Sequence, residues 1–259
     1  MFLVNADKKG VGAVILTVCA QKGGTSKTTT ASCLAQAFAH LGRKALLVDT
    51  DAQGSASLIY GTAQSMGLYE VLTGKASAEQ VVQHREAGDI LPSSVELDRL
   101  DMVRPGRDRD MMLSNALKPL TAIYDDIVID TAPGMGTLLI QALTASDKAL
   151  VPLQADSQSL QGLHKIAETI YSVRKANNPS LEVAGIVMTK FDGRTRLAKQ
   201  FDALMGEQCE HMGLRLADTH IRASVAVQEA QALRRSLYEY APNSNPAQDY
   251  LSLIEELNL

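Results

Sequence analysis

No run of about 18 apolar residues occurs in the 259-residue chain, so no segment reads as a membrane span. Residues Met1 to Gly12 lack the apolar centre of a signal peptide and read as a short lead-in. Cysteine is scarce. Cys19, expected in the first strand, Cys33 in the first helix and Cys209 in a late helix have no paired spacing, which argues against a disulfide framework and reads as reduced, mostly buried thiols of a cytoplasmic protein. Positive charge is not in excess either: 25 Lys and Arg stand against 29 Asp and Glu, for a net charge of −4, and this gives no nucleic-acid footprint at the level of the whole chain. After Arg235 there is no lysine or arginine at all. The amphipathic but acidic tail Asp249 to Leu257 therefore reads as a core-packing helix; anionic lipid would repel it. There is no internal repeat and no low-complexity tract.

What is present is 46% hydrophobic content, enough for a full core, and a phosphate-loop pattern near the start. Val14, Ile15, Leu16 and Val18 read as a buried strand, and Ala31, Leu34, Ala35, Phe38 and Ala39 recur at helical spacing. Between them lies Lys22-Gly23-Gly24-Thr25-Ser26-Lys27-Thr28-Thr29. A loop at a helix N-terminus offers unpaired N–H groups and a dipole that favours anions. Gly23 and Gly24 let the backbone approach phosphates, Lys27 reaches the terminal phosphates, and the Thr28 hydroxyl suits Mg²⁺.

Two more apolar runs end in carboxylates. Ala45-Leu46-Leu47-Val48 leads into Asp49-Thr50-Asp51-Ala52-Gln53-Gly54, and Ile127-Val128-Ile129 closes on Asp130. Ligands bind at the carboxyl ends of parallel strands. The three segments make one magnesium–nucleotide site if their strands are parallel neighbours. The rest of the chain alternates strand and helix, as a doubly wound sheet does. Gly67 to Leu72 and Ala78 to Val82 read as helical, Ile90-Leu91 as strand, and Arg104 to Asp110 as a charged break. Leu113, Leu117 and Leu120 mark a helix, Ala149 to Leu153 and Val183 to Thr189 mark strands, and Leu160 to Val173 marks an amphipathic helix closed by Asn177-Asn178-Pro179. The expected fold is α/β, a doubly wound and mostly parallel sheet flanked by helices, with residues 13–259 as a single domain.

The loop resembles the deviant Walker A loop of ParA/MinD ATPases, Lys-Gly-Gly-x-Gly-Lys-Thr, and fits Lys22 to Thr28 except at Ser26. Asp49 to Gly54 fits that family's Asp-x-Asp-Pro-Gln-Gly except at Ala52, and Ile127 to Gly134 looks like a Walker B element. The resemblance implies ATP and Mg²⁺ as cofactors, P-loop NTPase architecture and weak Mg²⁺-dependent ATP hydrolysis. It implies that Lys22 reaches the partner's phosphates in an ATP-bound homodimer while Lys27 serves its own nucleotide. Thr28, Asp49 and Asp130 then serve the metal, and Asp51 positions the attacking water. Ser26 places a Cβ where the family has glycine, so a tightened or rearranged loop is expected. The cysteines offer no cluster-bridging pair like that of the related nitrogenase iron protein.

Val151 to Gln154, Gly162-Leu163, Thr189 to Arg196, and Glu229-Ala230 through Pro242 match the partition branch of the family. That branch implies nonspecific DNA binding by the ATP dimer, with Arg194, Arg196, Lys199, Arg222, Arg234 and Arg235 as candidates, and a ParB-like, centromere-binding adaptor. It also implies a cytoplasmic, nucleoid-associated location. The chain departs from the branch at Ile221 to Ala226, where Ala223 and Ala226 replace expected arginines. The first dozen residues are too few for a helix-turn-helix domain, so operator binding is not expected. Two alternatives stand beside this reading: a related ATPase that positions a non-DNA cargo, and a nucleotide-dependent scaffold with little hydrolysis.

Overall fold

The computed structural model describes residues 13–63, 65–102, 107–156 and 158–259. The lead-in 1–12 lies outside them, as do the first three residues of the charged break at 104–110.

Eight strands form one sheet: β1 (Val14–Val18), β2 (Ala45–Asp49), β3 (Gln83–Arg85), β4 (Gly88–Leu91), β5 (Asp126–Asp130), β6 (Lys148–Leu153), β7 (Glu182–Phe191) and β8 (Ile221–Arg222). Their order is β3-β4-β2-β5-β1-β6-β7-β8. All pairs are parallel except the β3–β4 hairpin at one edge. The central strands read as continuous apolar runs because both faces are covered. Leu16 and Val18 enter one core and Ile15 the other; Leu150 and Val151 divide in the same way on β6. This is the period-2 alternation of a strand with two buried faces.

One face is covered by α1 (Lys27–His40), α10 (Val225–Ala232), α11 (Leu237–Tyr240) and α12 (Asn245–Leu257). Ala31, Leu34 and Phe38 of α1 are almost wholly buried, and the helix stops at Gly42, whose φ of 80° lets the Arg43 N–H return to the Phe38 carbonyl at 3.0 Å. On α12, Tyr250, Leu253, Ile254 and Leu257 are buried, and the Tyr250 hydroxyl lies 3.1 Å from that of Thr30. The acidic tail is thus a packing helix. The other face carries α7 (Thr137–Ala145), α8 (Ser159–Ala176) and α9 (Arg196–His211). Shorter helices are α2 (Ser55–Ile59), α3 (Leu68–Leu72), α4 (Ala78–Val81), α5 (Arg107–Asp110) and α6 (Met112–Leu117). No helix among the described residues is long and apolar enough to cross a membrane.

Two readings need correction. The end of the charged break is not irregular: residues 107–110 form α5, which tertiary contact stabilises where propensity would not, since Asn177 at the end of α8 donates to Asp110 at 3.2 Å. Cys19 lies just past β1 and not within it. All three thiols are buried, and burial pushes Cys19 and Cys33 up to about 12 and Cys209 up to about 11, so they stay protonated and unreactive.

Candidate nucleotide site at three strand ends

β5 lies between β1 and β2, with Val18 in register with Asp130 and Asp130 in register with Asp49. The condition set by the sequence is met: the loop after β1, the paired-Asp turn after β2 and the lone Asp ending β5 open side by side. Cross-links hold the three ends together. Thr131 donates its hydroxyl to the Val18 carbonyl at 3.0 Å, Thr50 donates to the Asp130 carbonyl at 2.7 Å, and the Gly134 N–H donates to the Gln21 carbonyl at 3.1 Å.

The loop ends on Ser26, which adopts the left-handed conformation at φ 68°, ψ 24°. Glycine takes that conformation freely; a side chain there costs about 1–2 kcal/mol. The departure at this position therefore leaves a left-handed turn in place and puts the strain on Ser26 itself. The Ser26 Oγ is buried and has no hydrogen-bond partner among the described residues. Lys27 begins α1 and is 6% exposed, its ammonium donating to the Lys22 carbonyl at 2.9 Å. Burial lowers its pKa, against the attraction of Asp130 and Asp51.

The carboxylates differ sharply in their partners. Asp49 is saturated: it accepts from the Asp51 N–H at 3.1 Å, the Ser57 N–H at 2.8 Å and the Ser57 hydroxyl at 2.7 Å. Burial still pushes it up to about 6, against these hydrogen bonds. Asp51 gives one oxygen to the Gln53 N–H at 2.9 Å, while its carbonyl accepts from the Gly54 N–H at 2.8 Å and from the Ser93 hydroxyl. Asp130 is fully buried, and neither oxygen completes a well-formed hydrogen bond, although the Thr28 hydroxyl faces it. Burial first, then the nearby Asp49, raise Asp130 well above the usual carboxylate range. A buried carboxylate without a partner is costly and suits a cation or its ordered water. Among the described residues no three His, Cys, Asp or Glu side chains converge on one metal position, so a metal here would rely on Thr28, water and phosphate oxygens. On this donor set, oxygen only and part of it supplied by the substrate, the residues fit Mg²⁺.

Lys22 points away from Lys27 and pairs with Asp156 at 2.9 Å, beyond the end of β6. Asp156 was not singled out from the sequence, although its place three residues past a parallel strand was a usable signal. Ser57 and Ser93 were missed too; only the fold brings them to the paired-Asp turn.

Beside the loop opens a cavity of about 400 Å³, bounded by Ser26 and Thr29 on one side and by the ends of β7 and β8 and by α10 on others. Its volume is that of a small-molecule site.

The six DNA candidates fall into three sets. Arg194, Arg196 and Lys199 share the corner from β7 into α9, and all three are exposed. Arg194 is forked onto Asp192, whereas Arg196 and Lys199 have no ion pair among the described residues. Arg222 is clamped to Asp249 of α12 at 2.6 Å. Arg234 and Arg235 sit beyond α10, Arg235 lying 3.0 Å from Glu86 in the β3–β4 hairpin and Arg234 packing over Gly61.

A lysine-bearing glycine loop at the head of the first helix, facing carboxylates at the neighbouring strand ends of a doubly wound sheet, defines a P-loop nucleoside triphosphatase. Residues 13–183 match a family described as the AAA domain. The chain is 32% identical over 249 residues to the sporulation initiation inhibitor protein Soj of Bacillus subtilis, covering 94% of this chain and 97% of that protein. It is 35% identical over 237 residues to the chromosome-partitioning ATPase Soj of Thermus thermophilus, covering 92% of each. The protein belongs to the ParA/Soj family of ATPases. Among solved structures, cobyrinic acid a,c-diamide synthase from Mycobacterium smegmatis with bound ATP analogue and magnesium superposes with a TM-score of 0.80 at 27% identity, covering 93% of this chain and 92% of that one. An ATP complex of a McdA variant from Cyanothece reaches 0.83 at 21% identity, with 96% and 98% covered, and shares the fold.

Proposed function

We propose that the protein is a cytoplasmic, nucleoid-associated partition ATPase, with residues 13–259 acting as one ATPase domain. It dimerises around ATP, binds DNA without sequence preference as that dimer, and hydrolyses ATP to segregate or position plasmid or chromosomal DNA. The observation that carries this reading is that the loop 22–29, the turn holding Asp49 and Asp51, and Asp130 open side by side at neighbouring parallel strand ends, with Lys27 at the head of α1. The phosphates sit on the loop 22–29, where backbone N–H groups and the helix dipole favour anions. Thr28, with Asp49 and Asp130 behind it, would hold Mg²⁺, which when bound supplies positive charge to the phosphate oxygens. Lys27 exchanges the Lys22 carbonyl for the terminal phosphates. Asp51, braced by Gln53, Gly54 and Ser93, orients the attacking water with its second oxygen. Lys22 leaves Asp156 to reach the partner's phosphates.

The cycle is one of linkage: ATP favours the dimer, the dimer favours DNA, and hydrolysis removes the ligand that held the state. A ParB-like adaptor would stimulate hydrolysis and release the DNA. The name of the Thermus relative supports the partition role. One observation favours the runner-up, a relative positioning a non-DNA cargo: Arg194, Arg222 and Arg235 are already engaged by acidic partners.

Sedimentation velocity tests the trans lysine. Wild-type protein is expected to shift from monomer to dimer with ATP and Mg²⁺, and Lys22→Ala to bind nucleotide yet stay monomeric. A Lys22→Ala protein that dimerises with ATP would remove the trans-lysine role.

A further inference from the structure

The cavity beside the phosphate loop contains a polar group that nothing among the described residues satisfies. Gln231, in the last turn of α10, lines it, and the Gln231 Nε2 is buried without an acceptor. Native proteins rarely leave such a donor unpaired unless a ligand or water completes it. The surrounding walls suit a flat ring: Ile221, Val225, Val227, Pro246 and Tyr250 provide apolar surface. Ser26 of the phosphate loop and Thr29 in the first turn of α1 border the cavity and mark its phosphate side, while Gln231 lines it from another element, α10. A nucleotide whose phosphates lie on residues 22–29 would therefore extend its nucleoside along the wall that holds Gln231.

We propose that Gln231 is the base-reading residue of this site and sets its preference for adenine over guanine. This inference rests on the nucleotide-binding reading above. A carboxamide presents one donor and one acceptor side by side in a plane. Adenine offers the complement, an amino donor next to a ring-nitrogen acceptor, and the pair forms two hydrogen bonds. The corresponding edge of guanine presents two acceptors, so one amide group would face a like partner. The opposite edge of guanine presents two donors, which suit a carboxylate and not an amide. A site built to hydrogen-bond one base discriminates because the wrong base leaves its buried groups unpaired.

Calorimetric titration of the full chain with ATP, ADP and GTP in Mg²⁺ tests the assignment, using wild type, Gln231→Leu and Gln231→Glu. Gln231→Leu keeps the approximate volume and is expected to weaken ATP and ADP equally, by about tenfold, with GTP unchanged. Equal loss for both adenine nucleotides separates base reading from damage to the phosphate loop. Gln231→Glu is expected to shift the ATP:GTP affinity ratio toward GTP, a gain that misfolding would not produce. An ATP:GTP ratio unchanged in both variants, with wild type binding ATP, would overturn the assignment and leave the nucleotide site standing. Wild-type protein that binds none of the three nucleotides would overturn the nucleotide reading as well.

Discussion

Lys27→Ala is expected to abolish measurable ATP binding, lowering affinity by at least about a hundredfold. Lys27 is the buried cation of the site, 6% exposed, and its ammonium already spends part of its hydration on burial and on the Lys22 carbonyl. Bringing a triphosphate to Asp49, Asp51 and Asp130 without that charge would crowd anions together at low dielectric, where each close charge interaction is worth several kcal/mol. The same change leaves the nucleotide-free fold little altered. Asp130 is raised well above the ordinary carboxylate range first by burial and then by Asp49, with Lys27 only opposing that shift, so removing the lysine leaves its direction unchanged. Titration calorimetry with ATP and Mg²⁺ beside a thermal melt separates the two: binding is lost while the melting temperature holds. An affinity within a few-fold of wild type would show that Lys27 does not serve the phosphates.

Asp51→Ala is expected to lower ATP turnover by roughly 10²–10⁴-fold while changing ATP affinity only a few-fold, the signature of a group that acts on the attacking water. The geometry separates Asp51 from its neighbour. Asp49 has both oxygens occupied by backbone N–H groups and by Ser57, so it is a fixed anchor of the turn. Asp51 has one oxygen held by the Gln53 N–H, and the other makes no hydrogen bond among the described residues. Its backbone is fixed by Gly54 and Ser93, so the free oxygen is aimed before any substrate arrives. Single-turnover phosphate release beside equilibrium binding reads both quantities. Turnover within a few-fold of wild type would move the water-positioning role elsewhere, and would favour the scaffold alternative if wild-type hydrolysis were also negligible.

The parts of the site legible in the sequence are those whose signal is local. β1, β2 and β5 are short apolar runs because they are buried on both faces, and a polar loop or a carboxylate follows each because the sheet ends there. The loop 22–29 needs only those neighbours. Spatial order was not local: that β5 lies between β1 and β2 follows from sheet topology, and only this places Asp130 opposite Asp49. Asp156 reaches Lys22 because β6 lies beside β1. Arg222 illustrates the reverse. The resemblance to the partition branch offers it as a DNA contact, yet α12 returns to place Asp249 against it, and the resulting fork ties β8 to that helix. β3 and β8 are three and two residues long and too short to show a periodic pattern. Gln231 had no sequence signal, because its meaning depends on the cavity it lines.

The most direct test of the central claim is binding of a nonspecific DNA duplex by the purified protein without nucleotide, with ADP, and with ATP plus Mg²⁺, across a salt series. The ATP-gated partition reading predicts binding with ATP alone, weakening steeply with salt as phosphate counterions are retained, and prolonged in Asp51→Ala. On that reading the binding would fall first to Arg196 and Lys199, which are exposed and without ion pairs among the described residues. An absence of DNA binding in every nucleotide state, with ATP still bound, would contradict it.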